Sequence, residues 1–134
     1  MDTELKENNE LAKLMKELEV DTKLNNANIR EKALSVSTIR SKWLCYYMKE
    51  RENYKRINKL KAKLLAQKVK SSNISVLKVK AESIASEDET ISKLNKLGEY
   101  SKEIIDFIER AMLILADFGF SIKNAIEIFK LEQL

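Results

Sequence analysis

Proline is absent from this 134-residue sequence and glycine occurs only twice, at Gly98 and Gly119. These two residue types supply tight turns, hairpins and helix terminations. A chain almost without them has little material for a barrel, a sandwich or a Gly-rich phosphate loop. The fold class that follows is all-α, in a single helical domain over residues 1–134.

Histidine is also absent and Cys45 is the single cysteine. Protease triads, His-dependent zinc sites and disulfides therefore drop out, and we expect no enzyme, no metal and no cofactor. Cys45 reads as an inert packing thiol, since only Lys42 is placed to activate it. The longest apolar stretch, Ala111 to Ala116, falls far short of the roughly 18 residues that span a membrane. The expectation is a cytoplasmic protein with no membrane partner.

The net charge of +4 conceals strong segregation along the chain. Residues 1–20 sum to −3, 21–40 to +2, 41–80 to +10 and 81–134 to −5. A basic third between acidic flanks points to a polyanionic partner.

Leu11, Leu14, Met15 and Leu18 recur at i, i+3, i+4 and i+7 and predict a helix over residues 3–19. Asp21 and Thr22 read as cap residues for a second helix over 22–70, with Ser35-Val36-Ser37-Thr38 its weakest stretch. Unbroken, such a helix would be about 75 Å long, so it must break, or project and find partners. Ser71-Ser72-Asn73 reads as a loop, Ile74 to Lys80 as a short helix, and Ser86-Glu87-Asp88-Glu89 as a capping box. That box explains its own acids without a cation. The next helix is predicted over 87–118, with Gly98 inside it as a candidate break. Gly119 is read as a left-handed C-terminal cap before a last helix over 121–132, the two forming a C-terminal hairpin. On that reading, Gly119→Val would break assembly.

In the basic segment Lys42, Lys49, Arg56, Lys63 and Lys70 recur every seven residues. Seven residues fall only about 20° short of two helical turns, so the five form a stripe, which Lys59 widens from i+3 of Arg56. Trp43, Tyr47, Tyr54, Ile57 and Leu64 lie on the other side, interrupted by Lys61 and Lys68. The stripe fits a nucleic-acid backbone or a solvated helix face, and less well an anionic membrane surface, because the opposite face mixes aromatics with charge. Trp43 and Tyr47 read as core or interface, whereas Tyr54, among Arg51, Lys55 and Arg56, is the better platform for stacking a base. A nuclease would need clustered acids here, and residues 41–80 hold only Glu50 and Glu52.

The C-terminal half carries an apolar face of Ile104, Ile105, Ile108, Met112, Leu115 and Phe118. Ile122, Ile126 and Phe129 make a second, and Ile114, Ile128 and Leu131 fall off both. This is more apolar surface than one short hairpin hides, and with Gly119 and Phe120 it is the candidate oligomer interface.

Ser41-Lys42-Trp43-Leu44 ahead of a basic helix, then Asp106-Phe107, Ala111 and Gly119-Phe120-Ser121-Ile122-Lys123, resemble the UvsY family of recombination mediators of T-even-like phages. The resemblance runs without a gap from Ser86 to Glu132, through Asp88, Lys93 and Tyr100, and again from about Ser41 to Lys70. Val20 to Leu24 has a further counterpart. A family motif Leu-Lys-Ala-Arg-Leu, associated with single-stranded DNA, falls on Leu65-Ala66-Gln67-Lys68-Val69. Only Leu65 and the charge of Lys68 are kept, with Lys63 and Lys70 a turn away on either side. The family's Gly-rich connection is replaced by Ser71-Ser72-Asn73.

The resemblance implies an all-helical ring-like homo-oligomer, of about six or seven subunits closed by rotation. It also implies sequence-indifferent binding of single-stranded DNA, and loading of a RecA-like recombinase onto strands covered by single-strand-binding protein. The competing class is a helical scaffold or chaperone whose basic stripe pairs with acidic helices, such as residues 2–19 of a neighbour.

Overall fold

The computed structural model describes residues 2–71 and 89–133, with side chains described for 9–70 and 89–133. The described residues form three helices and no strand: α1 (Asp2–Asp21), α2 (Ile29–Ser71) and α3 (Glu89–Glu132). The short helix expected over 74–80 and the cap residues Ser86 to Asp88 lie outside them. Two compact units partition the chain, Met1–Met48 with Asp106–Leu134, and Lys49–Ile105.

The predicted α1 is present, but α2 begins seven residues later than its supposed caps. Thr22 closes α1 instead: its N–H and hydroxyl both donate to the Leu18 carbonyl, at 2.9 and 2.8 Å. Asn25 and Asn28 then build the turn. The Asn25 side-chain oxygen accepts from the backbone N–H groups of Ala27 and Asn28 at 2.9 and 3.0 Å, and the Asn28 oxygen accepts from the Asn25 N–H at 2.8 Å. Asparagine competes with helical backbone bonding in this way and so starts helices better than it continues them. The weak stretch at 35–38 stays helical, with the Ser35 hydroxyl donating to Glu31 O at 2.9 Å.

The expected hairpin at Gly119 is corrected: α3 is continuous from Glu89 to Glu132. Gly119 has ordinary helical backbone, and a Cβ added there would meet Val36 Cγ2 at a comfortable 3.9 Å. The ground for expecting Gly119→Val to break assembly is thereby removed. The physical reason is the seam of buried positions Ile104, Ile108, Ala111, Leu115, Phe118 and Ile122. Their spacing of three and four residues runs straight through position 119. Helical glycine costs about 1 kcal/mol relative to alanine, while burying one large apolar side chain returns about 1.5–3 kcal/mol. The burial term wins, and Gly98 is likewise a buried helical position.

In the first unit, the core is organised by Trp43, which is fully buried. Its ring meets Tyr46 edge-on at 5.4 Å and Phe107 at 6.3 Å between centroids. The Trp43 indole N–H donates to Asp21 Oδ2 at 2.9 Å. Lys42 Nζ reaches the same oxygen at 2.7 Å and Glu17 Oε1 at 3.0 Å, and the Tyr46 hydroxyl donates to Glu17 at 2.8 Å. Asp21 is thus a buried acceptor rather than the cap of a second helix. A carboxylate at a helix C-terminus faces the negative end of the helix dipole, so the Lys42 ammonium offsets both that and its burial.

Candidate nucleic-acid interface

Within the second unit, the α2 segment from Lys49 divides into two sides. Glu50, Asn53, Tyr54, Ile57, Lys61, Leu64, Leu65, Lys68 and Val69 are half-buried, and Lys49, Lys55, Arg56, Lys59, Lys63 and Lys70 are exposed. The half-buried positions repeat at three and four residues, which leaves the seven-residue cation row on the outside. Lys49 to Lys70 spans about 32 Å at 1.5 Å per residue. None of these six exposed cations forms an ion pair with another described residue.

Lys42 is separated from this row by its chemistry. Burial alone would lower its pKa, but hydrogen bonds to Asp21 and then Glu17, with their charges, outweigh it and hold the ammonium above its ordinary value. Its charge is already matched by two carboxylates of α1. Burial, and then the hydrogen bond to Glu17, push the Tyr46 hydroxyl up as well.

The two acids of the basic segment differ in their surroundings. Glu50 Oε1 accepts from the buried Ser101 hydroxyl at 2.7 Å and from Asn53 Nδ2 at 3.3 Å, whereas Glu52 is exposed. Among the described residues no cluster of three or more Cys, Asp or Glu side chains could hold a metal ion. Cys45, expected to pack, is exposed. No helix among the described residues is long and apolar enough to cross a membrane.

Trp43 is core, as its spacing suggests, and Tyr47 is half-buried with its hydroxyl donating to Glu109 at 3.2 Å. Tyr54 lines a cleft of about 290 Å³ in the second unit, together with Asn58, Lys61, Asn95, Glu99 and Lys102. Sequence reasoning alone does not single out the last three or Asn58. Their signal is positional: Tyr54, Asn58 and Lys61 stand at i, i+4 and i+7 on α2, as do Asn95, Glu99 and Lys102 on α3.

The candidate assembly residues divide by burial. Ile104, Ile108, Leu115, Phe118 and Ile122 sit in the chain's own core, Ile105, Met112, Gly119 and Ile126 are half-buried, and Phe120 and Phe129 are exposed. Leu113, Ile114, Ile128 and Leu131 are also exposed. Phe129 and Ile126 line an apolar cavity of about 500 Å³ with Ile29 and Ala125.

The chain, whose described residues form helices alone and carry a cation row unpaired among them, matches, over residues 17–133, a family of recombination, repair and single-stranded DNA-binding proteins. That family is UvsY, and the chain belongs to it. The structure resembles crystal structures of the bacteriophage T4 recombination mediator protein UvsY. One, in lattice type IV, superposes with a TM-score of 0.79 at 21% identity, covering 91% of this chain and 98% of that one. Another, in lattice type II, gives 0.77 at 20%, covering 92% and 97%. At this identity the likeness is one of fold. No curated protein sequence matches significantly.

Proposed function

We propose that this protein is a recombination mediator of the host-cell cytoplasm. It holds single-stranded DNA on the exposed cations of α2 and promotes loading of a RecA-like recombinase onto strands covered by single-strand-binding protein. The observation that carries the reading is the row Lys49, Arg56, Lys63 and Lys70, widened by Lys59, with every member exposed and none paired to another described residue. Cations on one helix face contact phosphates, which carry no base information, as a protein acting on any strand requires. Lys61 and Lys68, on the half-buried side, back this row, and Lys42 braces α1 instead.

Assembly into a ring of copies is the second part of the reading. Exposed Leu113, Phe120, Ile128, Phe129 and Leu131 supply apolar surface of the kind that copies bury against one another. Weak contacts repeated around a ring give avidity while each can release in turn. Handing a strand from one protein to another depends on that property.

The test is binding of a fluorescent single-stranded oligonucleotide across a salt series. Five phosphate contacts per protomer give a slope of log K against log salt of about −3.5, so a fourfold rise in salt weakens one protomer's binding about 10²-fold. A flat salt response, or no binding at low salt, would remove the reading.

A further inference from the structure

We propose that copies of this chain join head to tail, the outer face of α3 on one copy lying antiparallel against the outer face of α2 on the next. The pairing rests on the ring reading above and deepens it by naming the two faces and their register.

Exposed apolar surface is unevenly distributed. Among the described residues, every exposed large apolar side chain except Leu60 belongs to the first unit, and the cation row from Lys49 to Lys70 lies in the second. Single exposed apolar residues are ordinary, whereas aligned ones mark contact surfaces. On α2 the exposed Arg30, Leu34, Ser37, Ser41, Leu44 and Met48 follow one another at alternating steps of four and three. On α3 the exposed Leu113, Asp117, Phe120, Asn124, Glu127 and Leu131 do the same. That alternation is the seam by which one helix packs along another, and each seam is about 27 Å long.

Both seams turn away from the unit's core. Ser41 stands two residues from each of the buried Ile39 and Trp43, and Phe120 two residues from each of the buried Phe118 and Ile122, a rotation of about 200° on a helix. The inner sides of the two helices pack on each other: Val36 lies beside Gly119, and the Tyr47 hydroxyl reaches Glu109. One copy therefore presents two different faces on opposite sides, the arrangement from which head-to-tail contacts close a ring. The same contacts show that numbering falls along α3 as it rises along α2, so the helices are antiparallel. Neighbours in a ring are related by rotation about its axis, which keeps their α2 helices pointing alike. The α3 of one copy then meets the next copy's α2 antiparallel as well.

In that direction one register sets large against large, Leu34 opposite Leu131 and Leu44 opposite Phe120. The members of these pairs are ten residues apart on α2 and eleven on α3. Between them Ser37 and Ser41 face Glu127 and Asn124, whose side-chain oxygens accept from the two hydroxyls, so the polar groups covered by the contact are satisfied. Charge selects the same pairing. The α2 seam carries Arg30 alone and the α3 seam carries Asp117 and Glu127. Two α2 seams or two α3 seams would bring like charges together, whereas α3 on α2 does not. The complement of each face is thus on the chain itself, which commits the occupant to a second copy.

The experiment uses two single variants of the full chain, Leu44→Glu on the α2 face and Phe120→Glu on the α3 face. Helix content is checked and assembly mass is measured by light scattering. Both positions are exposed, so the helices should form as in wild type. Each variant alone should be a monomer. Mixed in equal amounts, the two should form dimers and nothing larger, because the first keeps its α3 face and the second its α2 face. Wild-type mass in either variant would leave that face to another protein and overturn the pairing. A mixture that stays monomeric would overturn it too, since a face would then pair with its own kind. In a Cys45→Ser background, Leu44→Cys with Phe120→Cys should give disulfide-linked ladders of copies under mild oxidation, and Leu44→Cys with Leu131→Cys should not; the reverse would overturn the register. A wild type that is monomeric at every concentration would remove the ring reading and the pairing together, whereas a wild-type ring with any overturning result removes the pairing alone.

Discussion

Replacing Lys49, Arg56, Lys63 and Lys70 together by glutamate should lower affinity for single-stranded DNA by about 10³-fold at 0.1 M salt. Four contacts give a slope of about −2.8, which over the tenfold interval between 0.1 M and 1 M amounts to nearly 10³-fold. The helices should be unaffected, because all four side chains are exposed and surface substitutions of this kind change stability by about 0.5 kcal/mol or less. The same variant separates the two classes of function. Loss of DNA binding with the assembly mass unchanged supports the mediator reading. Collapse of assembly before loss of DNA binding would mean that the row pairs with acidic helices of neighbouring copies, as in a scaffold.

The second large effect falls on stability. Trp43→Ala should destabilise the protein by about 4 kcal/mol, the usual scale for truncating a fully buried aromatic, lowering the thermal midpoint by roughly 15 °C. Trp43→Phe keeps most of the packing and loses the bond to Asp21, so its cost should be about 1–2 kcal/mol. Thermal unfolding of the two variants checks both values, and equal midpoints would show that packing around Trp43 contributes little. The same junction responds to alkali. The Lys42 and Tyr46 pKa values are both raised in the folded state. Protons are therefore held more tightly folded than unfolded. Stability from this junction is complete below about pH 10 and declines as pH rises through the raised values.

Short-range spacing makes the helices and the cation row legible in the sequence. The recurrence of Leu11, Leu14 and Leu18 sets the extent of α1, and the seven-residue recurrence of cations locates the row on α2. Contact between distant segments has no such signature. Lys42 belongs to the row by spacing alone. Its capture by Asp21 depends on a turn built by Asn25 and Asn28, whose signal is weaker than the cap signal of Asp21 and Thr22.

Gly119 illustrates a different limit. A glycine after an apolar run resembles a helix end, but the buried seam on both sides of it is worth more than the glycine costs. The cleft at Tyr54 is half legible. Its α2 wall is visible as a tyrosine among cations, whereas its α3 wall needs the pairing of two helices that no spacing rule provides.

The most direct test of the central claim is lysine reactivity in the oligonucleotide complex. The full chain is acetylated briefly with and without a saturating single-stranded oligonucleotide, and modification is read residue by residue by mass spectrometry. The account predicts protection of Lys49, Lys59, Lys63 and Lys70, with the exposed Lys13 and Lys16 of α1 unchanged. Bound oligonucleotide with the α2 row fully reactive, or protection concentrated on α1, would contradict it.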